Sequence, residues 1–158
     1  QQTNLAEASK WLSSRKRDVH EQAFLNGLHK RMFGKVWRWA GQYRQTPRNI
    51  GIEAYRIPTE TRQLIDDVKF WVANETYSPD EIAVRFGHRL VAIHPYPNGN
   101  GRFSRIVGDM LAVQLGRPRF TWGRVSLVDA GETRAAYVAA LRAADAHDIE
   151  LLLAFARS

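Results

Sequence analysis

A chain of 158 residues with 44% apolar content and five tryptophans is about the length of one domain and carries enough apolar material for one packed core. The absence of cysteine excludes a disulfide framework, thiol catalysis and a thiolate zinc site, and leaves the cytoplasm as the default compartment, of its own cell or of one into which it is delivered. A net charge of +7 favours anionic partners, whether nucleotides, nucleic acid or acidic proteins, and no apolar run approaches the roughly 20 residues needed to span a bilayer.

Residue 1 is Gln rather than Met, so upstream residues are expected to be missing, and residues 1–158 are expected to form a single domain. Leu5, Ala8 and Leu12 fall at helical spacing, and the basic run Arg15, Lys16 and Arg17 reads as a solvated helix end. Asp18 stands where an N-cap would start a second helix through Val19, Ala23, Leu28 and Met32, before Gly34. Beyond it Gly41, Pro47, Gly51 and Pro58 interrupt any long helix, and β-prone stretches around Gly51 and Tyr55 predict a small hairpin or flap. Phe33, Trp37, Trp39 and Tyr43 are interleaved with Val36 and Ala40 and read as core rather than as a base-stacking surface.

Thr59 is the predicted N-cap of a helix whose apolar face is Leu64, Ile65, Val68, Trp71 and Val72. Ser78, Pro79 and Glu81 form a capping-box start to the next helix, which runs towards Ile93. From Arg105 to Leu115 the chain reads RIVGDMLAVQL, apolar around most of its circumference, as in a helix surrounded by others. Gly116 to Pro118 end it, residues 121–129 connect, and two more helical patterns run through Tyr137, Val138 and Leu141, then through Ile149, Leu152 and Leu153. His20, His29 and His147 read as surface or packing residues, and Asp145, His147 and Asp148 as a polar turn. His88, six before His94, is badly spaced for a shared metal site.

Chemistry concentrates between His94 and Arg105, in HPYPNGNGRFSR. A loop that holds phosphates needs inward-pointing backbone N–H groups, little side-chain obstruction and a following helix whose positive end faces the anion. Gly99, Asn100 and Gly101 meet those needs immediately before the buried helix, and Arg102 and Arg105, three apart, are placed to grip phosphate oxygens together. Cations in a helix's first turn oppose its dipole, and a bound polyanion accounts for two of them there. His94, at the end of the preceding helix, is the candidate general base, and Asn98 could offer its amide oxygen to a magnesium ion.

The string HPYPNGNGRFSR closely resembles the Fic motif, HPFx(D/E)GNGRxxR, of the Fic/Doc superfamily. LHKRMFGKVWRWAGQYR is similar to the amino-terminal Fic segment, GIEAYRIP to the flap and YVAALRAADAHDIELLLAF to the carboxy-terminal helices, so the resemblance spans most of the chain. The overall cast is similar to stand-alone bacterial Fic proteins of the mobile mystery protein B type. The resemblance implies an all-α Fic fold with a small β-hairpin flap, and transfer of AMP from ATP to a Ser, Thr or Tyr hydroxyl of a target protein, with pyrophosphate leaving. It assigns His94 as base, Gly99, Asn100 and Gly101 as anion hole, Arg102 and Arg105 as clamp on the outer phosphates, and position 98 as magnesium ligand. The flap, Gly51, Ile52, Glu53, Ala54, Tyr55, Arg56 and Ile57, would hold the target's backbone as an added strand.

Two departures matter. Tyr96 replaces the usual Phe, and Asn98 replaces an acidic residue, removing a full charge from the implied metal site. Gly101 sets the loop apart from the Doc branch, where a lysine follows the loop asparagine. The inhibitory pattern (S/T)xxxE(G/N) of many Fic proteins has no complete copy: Thr3 and Glu7 have the spacing but Ala8 follows. An inhibitory helix upstream or a separate antitoxin-like protein is expected to restrain the site. Two alternatives stay open: the same fold transferring UMP, GMP or a phosphoryl group, and a nucleotide-binding module with little turnover.

Overall fold

The computed structural model describes residues 22–124 and 129–158; the expected first helix, the Asp18 cap and the Thr3–Glu7 pattern lie outside them. The described residues form six α-helices in order: α1 Gln22–Phe33, α2 Ile57–Asn74, α3 Pro79–Ile93, α4 Asn100–Gln114, α5 Ala130–Asp145 and α6 Glu150–Ala156. The all-α expectation holds, and the described residues contain no strand. None of their helices is long and apolar enough to cross a membrane.

The centre of the bundle is the antiparallel pair α3 and α4, which pack more extensively on each other than any other two elements among the described residues. Helix α3 starts as expected: Ser78 Oγ accepts from the Glu81 N–H (3.3 Å), Pro79 occupies the first turn, and Asp80 and Glu81 favour the positive end of the dipole. Its buried face, Ile82, Ala83, Phe86, Leu90 and Ile93, meets Phe103, Val107 and Leu111 of α4 in a single core. Gly87 sets how close the pair comes, since a Cβ there would stand 3.1 Å from the Ser104 carbonyl oxygen.

Helix α2 begins at Ile57, two residues before the Thr59 predicted to cap it. A short 3₁₀ turn, Ala54–Arg56, leads directly into it, Pro58 fits its first turn, and Ile57 is already buried in the core. The hairpin expected around Gly51 and Tyr55 does not form. Ile52 gives its N–H to the Ile93 carbonyl at the end of α3 (3.4 Å), so this segment spends a backbone hydrogen bond on a helix terminus instead of a partner strand.

The far end of the bundle is closed by its last residues. Arg157 binds Asp80 (Nη2 to Oδ1 2.5 Å), donates to the Pro118 and Arg119 carbonyls (2.8 and 3.0 Å), and lies 4.2 Å over the Phe120 ring. Asp129, unforeseen from the sequence, caps α5 by accepting the Glu132 N–H (2.8 Å). Phe33 is fully buried, and Trp37, Trp39 and Tyr43 pack half-buried against the core, Trp37 stacked on Trp39 at 4.7 Å.

Candidate functional site

Helix α3 ends at Ile93, and His94 is its left-handed C-cap (φ 54°, ψ 62°), donating its N–H to Leu90 O at 3.0 Å. The chain then returns to α4 through a five-residue loop held mostly by one side chain. Asn100, buried, accepts the Tyr96 N–H at Oδ1 (3.0 Å) and donates from Nδ2 to the Tyr96 carbonyl (2.8 Å). The Tyr96 ring is buried beneath the loop, and its hydroxyl donates to Asn26 Oδ1 (2.7 Å), which gives the polar group carried by this Phe-to-Tyr departure a partner. Gly99, at φ 81°, caps α4 in a conformation that favours glycine, and a Cβ there would lie 2.7 Å from the Phe33 ring.

One sequence expectation is corrected here. Gly99 to Gly101 do not all precede the helix: α4 opens at Asn100, so Asn100 and Gly101 are its first residues, Arg102 lies in its first turn and Arg105 in its second. The Asn100 side chain faces the protein and staples the loop, which agrees with a reading that uses its backbone N–H. The Asn100 and Gly101 N–H groups lie ahead of the first intrahelical bond, from Phe103 N–H to Gly99 O (3.0 Å), at the positive end of the helix. Arg105 sits 5.2 Å over the Tyr137 ring, and a Cβ on Gly101 would meet nothing nearer than its Nη1 at 3.4 Å. Arg102 is exposed.

Asn98 is exposed, with its Oδ1 accepting the Gly99 N–H (2.9 Å). No group of three or more His, Asp or Glu among the described residues is arranged to hold a metal. One neutral amide oxygen, already accepting a hydrogen bond, falls short of a resident magnesium site, which usually uses at least one carboxylate.

His94 is half-buried, and burial first, then the Arg44 and Arg48 cations, hold its imidazole below the usual 6.5. The ring is therefore neutral, able to take a proton, at neutral pH. Against it runs the segment expected to be the flap. Gly51 (φ 93°) passes so near that a Cβ would stand 2.6 Å from His94 Cβ. Tyr55 is 80% exposed, Arg56 pairs with Glu60 at 2.8 Å, and Ile57 belongs to α2 and to the core rather than to a flap surface.

Two residues that sequence reasoning passed over support this arrangement. His29, read only as surface or packing, is fully buried, stacked on Tyr96 at 3.8 Å. Gly41 N–H donates to its Nδ1 (2.9 Å), which assigns the proton to Nε2, and Nε2 donates to the Asn98 carbonyl (3.1 Å). Burial pushes its pKa down to about 4, against the opposing effect of the Asn98 bond. Arg44, 2% exposed, sends its guanidinium to the His94, Ile93, Thr46 and Ile52 carbonyls. A lone histidine and a lone arginine carry no periodic signal; the one available clue was an arginine and a histidine set among apolar and aromatic residues read as core. His88, by contrast, bridges to Asp145 (2.7 Å), joining α3 to the end of α5 away from the loop.

A neutral histidine at a helix C-cap, a stapled glycine turn and a helix start that carries two arginines come together in one helical domain. The chain belongs to the Fic/DOC family, whose model matches residues 18–112. Protein adenylyltransferase fic-1 of Caenorhabditis elegans is 29% identical over 126 residues, which are 77% of this chain and 23% of that protein. The chain thus spans less than a quarter of that relative's length. A Fic domain containing signaling protein from Bacteroides thetaiotaomicron superposes with a TM-score of 0.76 at 18% identity, over 97% of this chain and 63% of that one. BepC, a VirB-translocated Bartonella effector protein from Bartonella tribocorum with bound AMPPNP, gives 0.73 at 19% identity, over 96% and 81%. These likenesses share the fold.

Proposed function

We propose that this domain transfers AMP from ATP to a Ser, Thr or Tyr hydroxyl of a target protein. The observation that carries the proposal is His94: a neutral imidazole fixed at the left-handed end of α3, six residues before a helix start that presents N–H groups and two arginines. A relative named protein adenylyltransferase and a fold neighbour with AMPPNP bound support ATP as the substrate.

The triphosphate lies over the Gly99–Gly101 turn, where backbone N–H groups and the α4 dipole offset its charge. Arg102 and Arg105, on neighbouring positions of α4, take the outer phosphates. The target hydroxyl loses its proton to His94 as its oxygen bonds to the α-phosphorus. The bond from that phosphorus to the β-phosphate bridging oxygen breaks, and its electron pair leaves with pyrophosphate. Residues Gly51 to Arg56 hold the target backbone beside His94. A magnesium ion accompanying the triphosphate would supply charge neutralisation there, and Asn98 would be the one residue able to offer it an oxygen. Restraint by an upstream helix or a separate antitoxin-like protein belongs to the same reading.

The test is incubation with magnesium, a cell lysate and ATP labelled at the α-phosphate. Protein becomes labelled, and His94→Ala lowers the rate by about 100-fold or more. Transfer that survives the substitution sinks the mechanism. Label at the γ-phosphate alone, or preference for UTP or GTP, would select the corresponding alternative transfer, and binding without turnover the binding-module reading. The rate should fall on acidification with a midpoint below 6.5, because His94 must be neutral to accept the proton.

A further inference from the structure

Arg44 is a buried cation whose guanidinium hydrogen bonds all run to backbone carbonyls. Its Nε donates to His94 O (2.6 Å), Nη1 to Thr46 O (3.0 Å), and Nη2 both to Ile93 O (3.3 Å) and to Ile52 O. Its own N–H donates to Pro95 O at 2.9 Å. One residue therefore holds three consecutive carbonyls, 93, 94 and 95, where α3 ends and its dipole is negative. The same fork reaches across to the segment that carries Gly51.

What the fork holds is unusual backbone. His94 is a non-glycine residue at φ 54°, a conformation that persists only where its surroundings impose it. Gly51 is also left-handed, at φ 93°, and lies against His94 Cβ so closely that no side chain fits between them. Ile52 completes the contact through its N–H to Ile93 O. A planar guanidinium suits this work, because its donors point in fixed directions at several acceptors at once; an ammonium is a point charge on a flexible stem.

We infer that Arg44 is a positioning residue: its guanidinium locks the left-handed turn that aims the His94 imidazole and fastens to it the Gly51–Ile52 segment, so that base and target-holding segment move as one unit. This rests on the reading of His94 as base and of residues 51–56 as target-binding. It extends that reading, since the target's hydroxyl would be delivered by a segment referenced to the base itself and not to the nucleotide loop. Arg44 also adds to the field that keeps His94 neutral, so its loss has an electrostatic as well as a geometric effect.

The test compares the parent chain with Arg44→Lys, Arg44→Gly and Gly51→Ala. Three quantities are followed: ATP affinity by calorimetry, transfer from α-labelled ATP to lysate protein, and the NMR signals of the His94 imidazole and the Gly51 and Ile52 amides. Arg44→Lys is expected to keep ATP affinity within about 3-fold while kcat falls roughly 30-fold or more, as expected when a reacting group is displaced by about an ångström. Arg44→Gly should regain at least about 5-fold of its transfer on addition of millimolar guanidinium and none with equal sodium chloride. Gly51→Ala, which leaves the guanidinium in place, should give the same split and serves if the Arg44 variants do not fold.

Parental transfer by Arg44→Lys or by Gly51→Ala would overturn the inference, as would ATP affinity and transfer falling in parallel. If even the parent transfers no label, AMP transfer fails as the function and the positioning role is judged by NMR. There, Arg44→Lys must shift the His94 imidazole and the Ile52 amide together, and a shift of either alone refutes it.

Discussion

The loop at residues 94–99, with the helix start that follows it, and the segment facing it, residues 46–56, lie beside the same histidine, yet they are held in opposite ways. The loop is stapled mostly from within. Asn100 closes it on Tyr96, Ser104 donates to the Gly101 carbonyl at 2.8 Å, and Asn98 caps Gly99, all partners a few residues apart. The facing segment has few internal bonds and is fastened from outside by Arg44 and by the Ile93 carbonyl, with Ile50 and Tyr55 left exposed. A helix start can thus be fixed locally, whereas the exposed segment facing it takes its position from groups elsewhere in the chain.

The sharpest way to break that contrast is to cut the loop's staple. Asn100→Ala leaves a buried N–H and a buried carbonyl of Tyr96 without partners, and each such loss costs about 1–3 kcal/mol, so stability should fall by roughly 2–5 kcal/mol. In a domain of this size that lowers Tm by about 5–15 °C. ATP affinity should fall with it, because the helix start is no longer fixed. A variant that melts like the parent by calorimetry would show that the loop is held by something other than this side chain.

His29 sharpens the same point through pH. Its pKa is about 4 in the fold against 6.5 unfolded, so between those values the unfolded chain binds more protons and stability rises with pH. The full contribution is present above pH 6.5 and is lost as pH falls towards 4, on the order of 3 kcal/mol in all. Urea unfolding from pH 7 to 4 should show the loss, and His29→Gln should remove that part of the slope. An unchanged slope would mean that this imidazole is not buried neutral beneath the loop.

How much of this was legible follows the same division. Helices α3 and α4 could be read because their caps and apolar faces are local: Ser78 and Glu81 lie three apart, and the glycine turn lies just ahead of a buried run. The loop stands out in the sequence because the residues that phosphate binding would need are consecutive there. Helix α2 starts three residues earlier than a Thr59 cap implies, because tertiary burial of Ile57 and the preceding 3₁₀ turn decide the start. The expected hairpin failed for a related reason: β-propensity around Gly51 says nothing of an arginine eight residues upstream that claims the Ile52 carbonyl. His29 and Arg44 were missed because their partners, at 41 and 98 and at 52 and 93–95, come together only in the fold.

A smaller effect is expected where neither region is touched. Asp80, held below the usual carboxylate range chiefly by Arg157 and also by Arg117, joins the start of α3 to the last residues. Asp80→Ala should cost about 1 kcal/mol in urea unfolding above pH 4, because the pair is partly exposed, and the loss should fade as acid protonates the parent's carboxyl. ATP affinity and transfer should stay at parental values, and a change in either would extend the site's support to the far end of the bundle.

The smallest effect on stability and the most selective effect on function should come from Tyr55. It is 80% exposed, so Tyr55→Ala should change the unfolding free energy by less than about 0.5 kcal/mol. If the segment receives a target strand, this ring is a contact the target alone feels: the KM for protein should rise by roughly 3- to 10-fold while that for ATP stays fixed. The opposite split, ATP affinity lost with the protein KM unchanged, would place the ring with the nucleotide. The contrast between a self-contained loop and an open segment anchored elsewhere would then have to be redrawn.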